Sequence, residues 1–570
     1  MNYRRSALFI LLAVMLIVPT ALSACAATQE PPAKQQPTGK QEAPAAQPVA
    51  KQEPAAKQEP AAKPEPAAKP AAAKKPEGSL VVALSMLGQE TFLPWNGTTH
   101  RMTYLGMIYE FMTYVDPPTG EIKPGLATKW EMSPDGNTWT FWIRQGVQFH
   151  EGWGELTAED VKYTLDRSMD KDSQASSKGD LLGLVEKIEV PEPYKLVIHM
   201  KRPFPELFRG LMSNTTQTAI ASKKYVTTVG DEKANAHPIG TGAYTLIEEH
   251  KKGGPVKLGT MSGAENHWRV KPEFKNVTFL IVPEEATRVA MLKAGEADLA
   301  PISYDSIDTV KASGLKIVSI PYNWGPRIVL GGLVATNPKR HNPDLPWADK
   351  RVREALNLAV DKEAIIKNIF HGEGKAAGAS APEYQYLDIT PFPYDPQKAK
   401  RLLAEAGYPN GFPITIKTFV TTPGAELPVI GEAVATYWKA IGVDVKIVPV
   451  DYGSLRDEWT KGEKSLDFAW THRGMVFGDP VTPLIVDYKD TGLYASYATK
   501  ESMPMVDKVA SELDATKRDK LANDFAQYLR DEASQVYIGF INEPYGASDK
   551  VGKWPTIRAK PMNFDQITRP

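Results

Sequence analysis

Apolar positions along this chain fall into short blocks that switch between two periods. Leu80-Val-Val-Ala-Leu84 is a continuous apolar run and predicts a buried strand. Trp130 to Met132 and Thr138 to Ile143 flank Ser133-Pro-Asp-Gly136, and an Asp-Gly pair between two such runs predicts a hairpin. Thr157-Ala-Glu-Asp160 reads as a capping box with Asp in place of the usual Glu, and Val161 and Leu165 then give the helix an apolar face. Tyr194 to His199 predicts a further strand, and Glu285 to Gly295 a helix closed by glycine.

Three later helices announce their own ends. Asp349 can cap a helix over Lys350 to Val360, where Val352, Ala355, Leu356 and Ala359 recur at helical spacing. Asp361 can cap the next helix, which stops before Gly372. Asp395-Pro396 is a cap followed by proline at the first helical position; Ala399, Leu402, Leu403 and Ala406 form one stripe and Gly407 ends it. Strand patterns at 413–417 and 443–448 follow such helices. Helices alternating with strands predict an α/β fold.

The first 78 residues have a different character. Arg4 and Arg5 precede an apolar run from Ser6 to about Leu22, the pattern of a secretory signal. Leu22-Ser23-Ala24-Cys25 resembles the bacterial lipobox, which implies a signal peptide over 1–24, cleavage before Cys25 and a lipid on its sulfur. An uncleaved membrane anchor is the alternative, and either reading places the remainder outside the cytoplasm. Residues 25–78 form a Pro/Ala/Lys-rich tether that repeats Lys-Gln-Glu-Pro-Ala-Ala and has no aromatic residue with which to build a core. Adhesion to the cell wall through its lysines is a second role considered for it.

Composition narrows the function of the rest. The whole chain of 570 residues has a formal charge of −1, so it lacks the basic footprint of a nucleic-acid binder. A single cysteine excludes a disulfide framework and zinc sites of the Cys₂ or Cys₄ type. H-E-x-x-H, G-x-S-x-G and G-x-x-x-x-G-K-[ST] are all missing, which argues against a metallopeptidase, a serine hydrolase and a resident ATPase. Gly240-Thr-Gly242 is too short to be a phosphate loop, and His150 before Glu151-Gly152 reads as a turn histidine rather than a ligand.

Taken in order, several segments resemble one family. They are Gly125-Leu-Ala-Thr-Lys-Trp-Glu-Met-Ser-Pro-Asp-Gly136, Phe141-Trp-Ile-Arg-Gln-Gly-Val-Gln-Phe-His-Glu-Gly152, Leu156 to Val161, Pro238-Ile-Gly-Thr-Gly-Ala-Tyr244 and Asn266-His-Trp268. Arg351-Val-Arg-Glu-Ala-Leu356 with Asp361 to Ile365, and Tyr394-Asp-Pro-Gln-Lys-Ala-Lys-Arg-Leu-Leu-Ala-Glu-Ala-Gly407, complete the set. The series is similar to the extracytoplasmic solute-binding proteins of ABC importers, family 5, the peptide/nickel/oligopeptide-binding class. The resemblance spans nearly all of 79–550.

That resemblance implies two α/β lobes joined by two crossing strands, with an extra subdomain inserted near the N-terminus. Lobe one would comprise 79–106, 216–320 and 535–570, the inserted subdomain 107–215, and lobe two 321–534. The crossings would fall near Tyr322–Gly332 and Gln535–Asn542. Ligand would lie between the lobes, which close by hinge motion. It implies reversible binding without catalysis, no cofactor, no metal held by the protein alone, and a monomer that works with a permease and an ATPase on separate chains.

Ligand contacts are expected from Trp470, His472 and Arg473, in and just after the Leu466 to Trp470 strand, and from Asp479 in the Gly478-Asp-Pro480 loop. Peptide binders of the family carry a carboxylate shortly before that Gly-Asp-Pro, where this chain has Met475-Val-Phe477. Trp95 and His100 near the first strand, and Trp324 and Arg327 in the hinge, are further candidates. An arginine fork suits a carboxylate, and tryptophan suits sugar faces or apolar side chains. The alternative for Trp470 is a core position, and for Arg473 an ion pair with Asp479 or Asp490. A short peptide leads as ligand, with oligosaccharide second and a nickel or metal chelate third. A hydrolase, or an adhesin or sensor lipoprotein of the same fold, are the readings of other classes.

Overall fold

The Leu80 run does become a buried strand, and it belongs to a sheet that runs through most of the molecule. In the computed structural model the described residues are 75–97, 101–116, 121–205, 207, 212–213, 218–379, 389–421, 424–461, 466–475, 481–492, 494–556 and 563–570. The readings made for the signal segment, Cys25, most of the tether, His100 and Asp479 lie outside them. The large sheet has twelve strands. They are β1 (Ser79–Leu84), β2 (Tyr244–Leu246), β3 (Val256–Thr260), β4 (Asn276–Ile281), β5 (Leu299–Pro301) and β6 (Lys316–Leu330). Then follow β7 (Gly374–Ala376), β8 (Pro413–Thr418), β9 (Asp444–Pro449), β10 (Ala469–Met475), β11 (Val536–Tyr537) and β12 (Gly539–Ala547).

Their spatial order is β9-β8-β10-β6-β12-β5-β1-β4-β3-β2, with β7 on β12 and β11 on β6. The long strand β6 divides the molecule. Its first half pairs with β12 over Lys316 to Ile320, and its second half pairs with β10 over Trp324 to Leu330. Ile320 lies in a core shared with Leu80, Val82 and Phe279, whereas Trp324, Ile328 and Leu330 lie in a core shared with Ile416, Trp438 and Trp470. The side of β6 that holds Lys316 to Ile320 is lobe one and the side that holds Trp324 to Leu330 is lobe two; the second core also takes in Ala83, Leu292 and Tyr304 of lobe one. Between the halves β6 loses register with β12, and Tyr322 takes φ +53°. A left-handed tyrosine carries strain that its surroundings must hold. Asn542 Oδ1 accepts from the Tyr322 backbone N–H at 3.0 Å and fixes it.

Beside lobe one lies a separate antiparallel sheet of four strands. Ala127–Met132 and Thr138–Ile143 form its hairpin, and Gly136 turns it at φ +74°. The Thr157–Asp160 capping box forms as expected. Asp349, Asp361 and Asp395 each accept a backbone N–H at the start of α2 (Lys350–Leu358), α3 (Lys362–Ile369) and α4 (Pro396–Glu405). The helix α1 (Glu285–Ala294) ends at Gly295 in the left-handed region.

The Gly240-Thr-Gly242 motif has a packing cause. A Cβ on Gly240 would stand 2.0 Å from the Ile108 carbonyl oxygen, and one on Gly242 2.3 Å from that of Met107. His150 belongs to the same junction. It is buried, with Nε2 2.8 Å from the Gly242 carbonyl, and burial holds its pKa down at about 4. Nearby, Arg269 bridges the buried carboxylates of Glu110 (2.6 Å) and Asp565, which ties the chain's last residues to lobe one.

Candidate ligand cleft

Strand direction decides where a ligand can lie. β12 runs antiparallel to β6, and β5 antiparallel to β12; β1 is parallel to both β5 and β4. In lobe two β10 runs antiparallel to β6, and β8 is parallel to β9 and β10. The carboxyl ends of β1, β4 and β5 therefore point toward lobe two, and those of β8, β9 and β10 point back toward lobe one. Ligands of α/β sheets collect at carboxyl edges. Here two such edges oppose each other across the two crossing strands.

The loops at these edges carry the polar groups. On lobe one, Glu285 follows β4 and accepts from Ser303 N–H and Oγ at 2.8 Å and from Ser306 Oγ at 2.7 Å. Burial works against its charge, but these hydrogen bonds outweigh it and lower its pKa. Asp305 follows β5. On lobe two, Glu426 stands at the N-terminus of α5 (Leu427–Ala440), in the connection that follows β8. Burial raises its pKa, and Asp305 and Glu285 add repulsion from the opposite lobe. Glu543 lies on the crossing strand β12, accepts from Asn323 Nδ2 at 2.6 Å, and is pushed up to about 7 by burial. None of these carboxylates was among the sequence candidates. Their signal was positional: Glu285 begins a predicted helix, and Glu426 follows the strand predicted at 413–417.

The sequence candidates on β10 and β6 meet inside lobe two. His472 and Arg327 are opposite one another in the strand pairing. Arg327 is buried, and its Nη2 lies 2.7 Å from Asp487 Oδ2 on α7 (Val481–Tyr488). Burial opposes the Arg327 charge, but Asp487 keeps its pKa above the ordinary arginine value. His472 is buried beside it, so burial first, and then Arg327 and Arg473, hold the imidazole neutral. Trp470 is 2 % exposed and packs on Trp459 of α6 (Tyr452–Lys461), ring centroids 5.6 Å apart. His472 meets the same Trp459 at 5.8 Å.

Arg473, one step nearer the carboxyl edge, is partly buried. Burial lowers its pKa while Tyr452 and Tyr494 support its charge. Trp324 is buried at the crossing, where its Nε1 donates to the Tyr304 hydroxyl at 3.4 Å. Trp95 is 1 % exposed in lobe one, edge-on to Tyr163 at 5.8 Å, with the Arg167 guanidinium 4.4 Å from its ring. The structure thus gathers Trp470, His472, Arg473 and Arg327 around one strand pair, and gives Trp324 and Trp95 other neighbours. Among the described residues no group of three or more His, Cys, Asp or Glu is arranged to hold a metal ion, and no helix is long and apolar enough to cross a membrane.

Two α/β lobes with facing carboxyl edges, joined by two continuous strands, define a hinged binding protein of the two-lobed periplasmic class. Residues 121–494 match the model of the bacterial extracellular solute-binding proteins, family 5, and the chain belongs to that family. Its members are solute receptors of ABC importers rather than enzymes.

Relatives bind chemically diverse solutes. The chain is 27 % identical over 485 residues to the dipeptide-binding protein of Escherichia coli K12, covering 78 % of this chain and 85 % of that one. It is 32 % identical over 353 residues to the glutathione-binding protein of Salmonella paratyphi A, covering 60 % and 64 %. The fold is shared with HbpA2 of Haemophilus parasuis at a TM-score of 0.73 and 22 % identity, over 86 % of this chain and all of the other.

Proposed function

We propose that this chain captures a short peptide or a peptide-like solute between its lobes and delivers it to an ABC permease, with the ATPase on a separate polypeptide. The opposed carboxyl edges carry this reading. A solute held there touches both lobes, so its binding energy favours the closed form, and the permease reads closure. The relatives that bind a dipeptide and glutathione support a zwitterionic solute. Carboxylates at Glu285, Asp305 and Glu426 and the guanidinium of Arg473 match the two ends of one.

In this reading Trp470, His472 and Arg327 support β10 from behind, and Arg473 is the group that meets ligand. Cys25 anchors the mature chain by its lipid, and 25–78 is the leash that lets the head reach solute away from the membrane. The lobe limits are those given by the family resemblance: 79–106 with 216–320 and 535–570, an inserted 107–215, and 321–534. The test is to purify the full chain, denature it and identify by mass spectrometry what it carried. A short peptide, followed by a thermal shift with that peptide, supports the proposal. An oligosaccharide or a metal chelate replaces the solute class.

A further inference from the structure

Most large apolar side chains of this molecule are covered. Among the described residues six are markedly exposed, and three of those, Met86 (53 %), Val420 (66 %) and Val429 (51 %), stand at the two facing carboxyl edges. Met86 is two residues past the end of β1. Its loop lies between the loops of β4 and β5, the neighbours of β1, which carry Glu285 and Asp305. Val420 is two residues past the end of β8, and Val429 is in the first turn of α5.

These placements are correlated. Glu426 and Val429 are three apart at the start of α5 and so lie on one side of it. Burial first, and then Asp305 and Glu285 of the other lobe, push the Glu426 pKa up, and Asp305 also lies 3.7 Å from His371, which follows α3 of lobe two, so these loops face each other across the gap. The side of α5 that carries Val429 therefore looks at the lobe-one loops on either side of Met86. Like charges on facing lobes oppose closure, and exposed apolar groups on both lips favour it once something apolar lies between them.

We propose that the solute bears a free amine next to an apolar group, the amine entering between Glu426 and the Glu285/Asp305 pair, and the apolar group gripped by Met86 from lobe one and by Val420 and Val429 from lobe two. This rests on the receptor reading and narrows its ligand. A cation there removes the repulsion, while the apolar contact covers surface that is otherwise wet. The amine and the apolar group must be neighbours because Glu426 and Val429 are.

The test is calorimetric titration of the full chain with three probes: Leu-Gly-Gly, N-acetyl-Leu-Gly-Gly and Asp-Gly-Gly. Leu-Gly-Gly is expected to bind about tenfold or more tightly than either of the others. Val420→Asp should remove the preference for Leu over Asp, with the melting temperature of the empty chain unchanged because Val420 is exposed. Glu426→Gln should remove the preference for the free amine over the acetylated probe, and gives a second readout if Val420→Asp folds poorly. Equal binding of all three probes overturns this inference and leaves the peptide receptor standing. Binding of none overturns both. Preferences that persist in both variants show that the lips only close on each other, and overturn the assignment.

Discussion

Tyr304 of lobe one donates its hydroxyl hydrogen to the backbone carbonyl of Asn542, at 2.8 Å, on a strand that crosses between the lobes. Around this bond the crossing is tied on several sides. Trp324 Nε1 donates to the same hydroxyl, and the Phe370 ring of lobe two meets the Tyr304 ring edge-on at 4.9 Å. The Asn542 side chain bonds the strained Tyr322 and Glu373. Tyr304→Phe keeps the ring packing and removes the hydroxyl, leaving a buried indole N–H without its partner. The loss should be about 1–2 kcal/mol in urea unfolding. An unchanged unfolding midpoint would mean that the ring alone holds this contact.

Arg327 and Asp487 should behave as a unit. Arg327→Leu leaves the Asp487 carboxylate buried without its counter-charge and should cost about 3–5 kcal/mol. Adding Asp487→Leu should restore much of that, because the lone charge is gone. The Arg327 Nε and Nη1 have no hydrogen-bond partner among the described residues, so the pair is an incomplete one and an apolar replacement loses little. A double variant as unstable as the single one, measured by denaturant titration, would show that packing rather than charge holds this part of lobe two.

Glu543 makes stability depend on pH in the opposite sense from an ion-paired carboxylate. Its folded pKa is raised to about 7 by burial, above the ordinary glutamate value of 4.5. The folded chain therefore holds a proton that the unfolded chain releases between these limits. The stabilising contribution is complete below about pH 4.5 and is lost as pH rises through about 7, for a total on the order of 3 kcal/mol. Glu543→Gln should flatten the stability profile in that window while keeping an acceptor for Asn323. A profile that Glu543→Gln leaves unaltered would place the titration elsewhere.

Gly240 has no room for a side chain. Gly240→Ala should destabilise the chain by at least about 2 kcal/mol, because the new methyl meets the Ile108 carbonyl. Gly183→Ala is the contrast. A Cβ at Gly183 meets nothing within 4 Å, and the residue is inside a helix, so the change should be neutral or mildly stabilising. Thermal unfolding of the two variants side by side checks both signs.

Local signals were readable in the sequence because their partners are near in the chain. The caps at Asp349, Asp361 and Asp395 each bond an N–H two or three residues on, and the Asp135-Gly136 turn closes on itself. The crossing strand was less legible. The strand that carries the crossing runs from Lys316 to Leu330, and Pro321, Gly325 and Pro326 mask a continuity that comes from partners in both lobes. The strand of the second crossing, Gly539–Ala547, likewise continues into lobe one, where it pairs with β5. Trp470 could be read as core or as ligand contact, and its packing on Trp459 depends on how α6 folds over β10. Glu426 carries no local signal of its role, since the charges that face it are on the other lobe, far along the chain.

Arg473 separates ligand recognition from stability. It is only partly buried and lies nearer the carboxyl edge than the enclosed Arg327; burial lowers its pKa, and Tyr452 and Tyr494 support its charge. Arg473→Ala should weaken binding of a carboxylate-bearing peptide about 10- to 100-fold, the worth of a charge-assisted hydrogen-bond pair, with the melting temperature of the empty chain little changed. Arg473→Lys should recover only part of the affinity, because an ammonium cannot present the planar fork that a carboxylate fits. Esterifying the peptide's carboxylate should weaken binding to the parent chain and leave binding to the Arg473→Ala variant unaltered. If Arg473→Ala leaves affinity intact, Arg473 is a structural partner of the tyrosines, and the carboxylate must be read from elsewhere in the cleft.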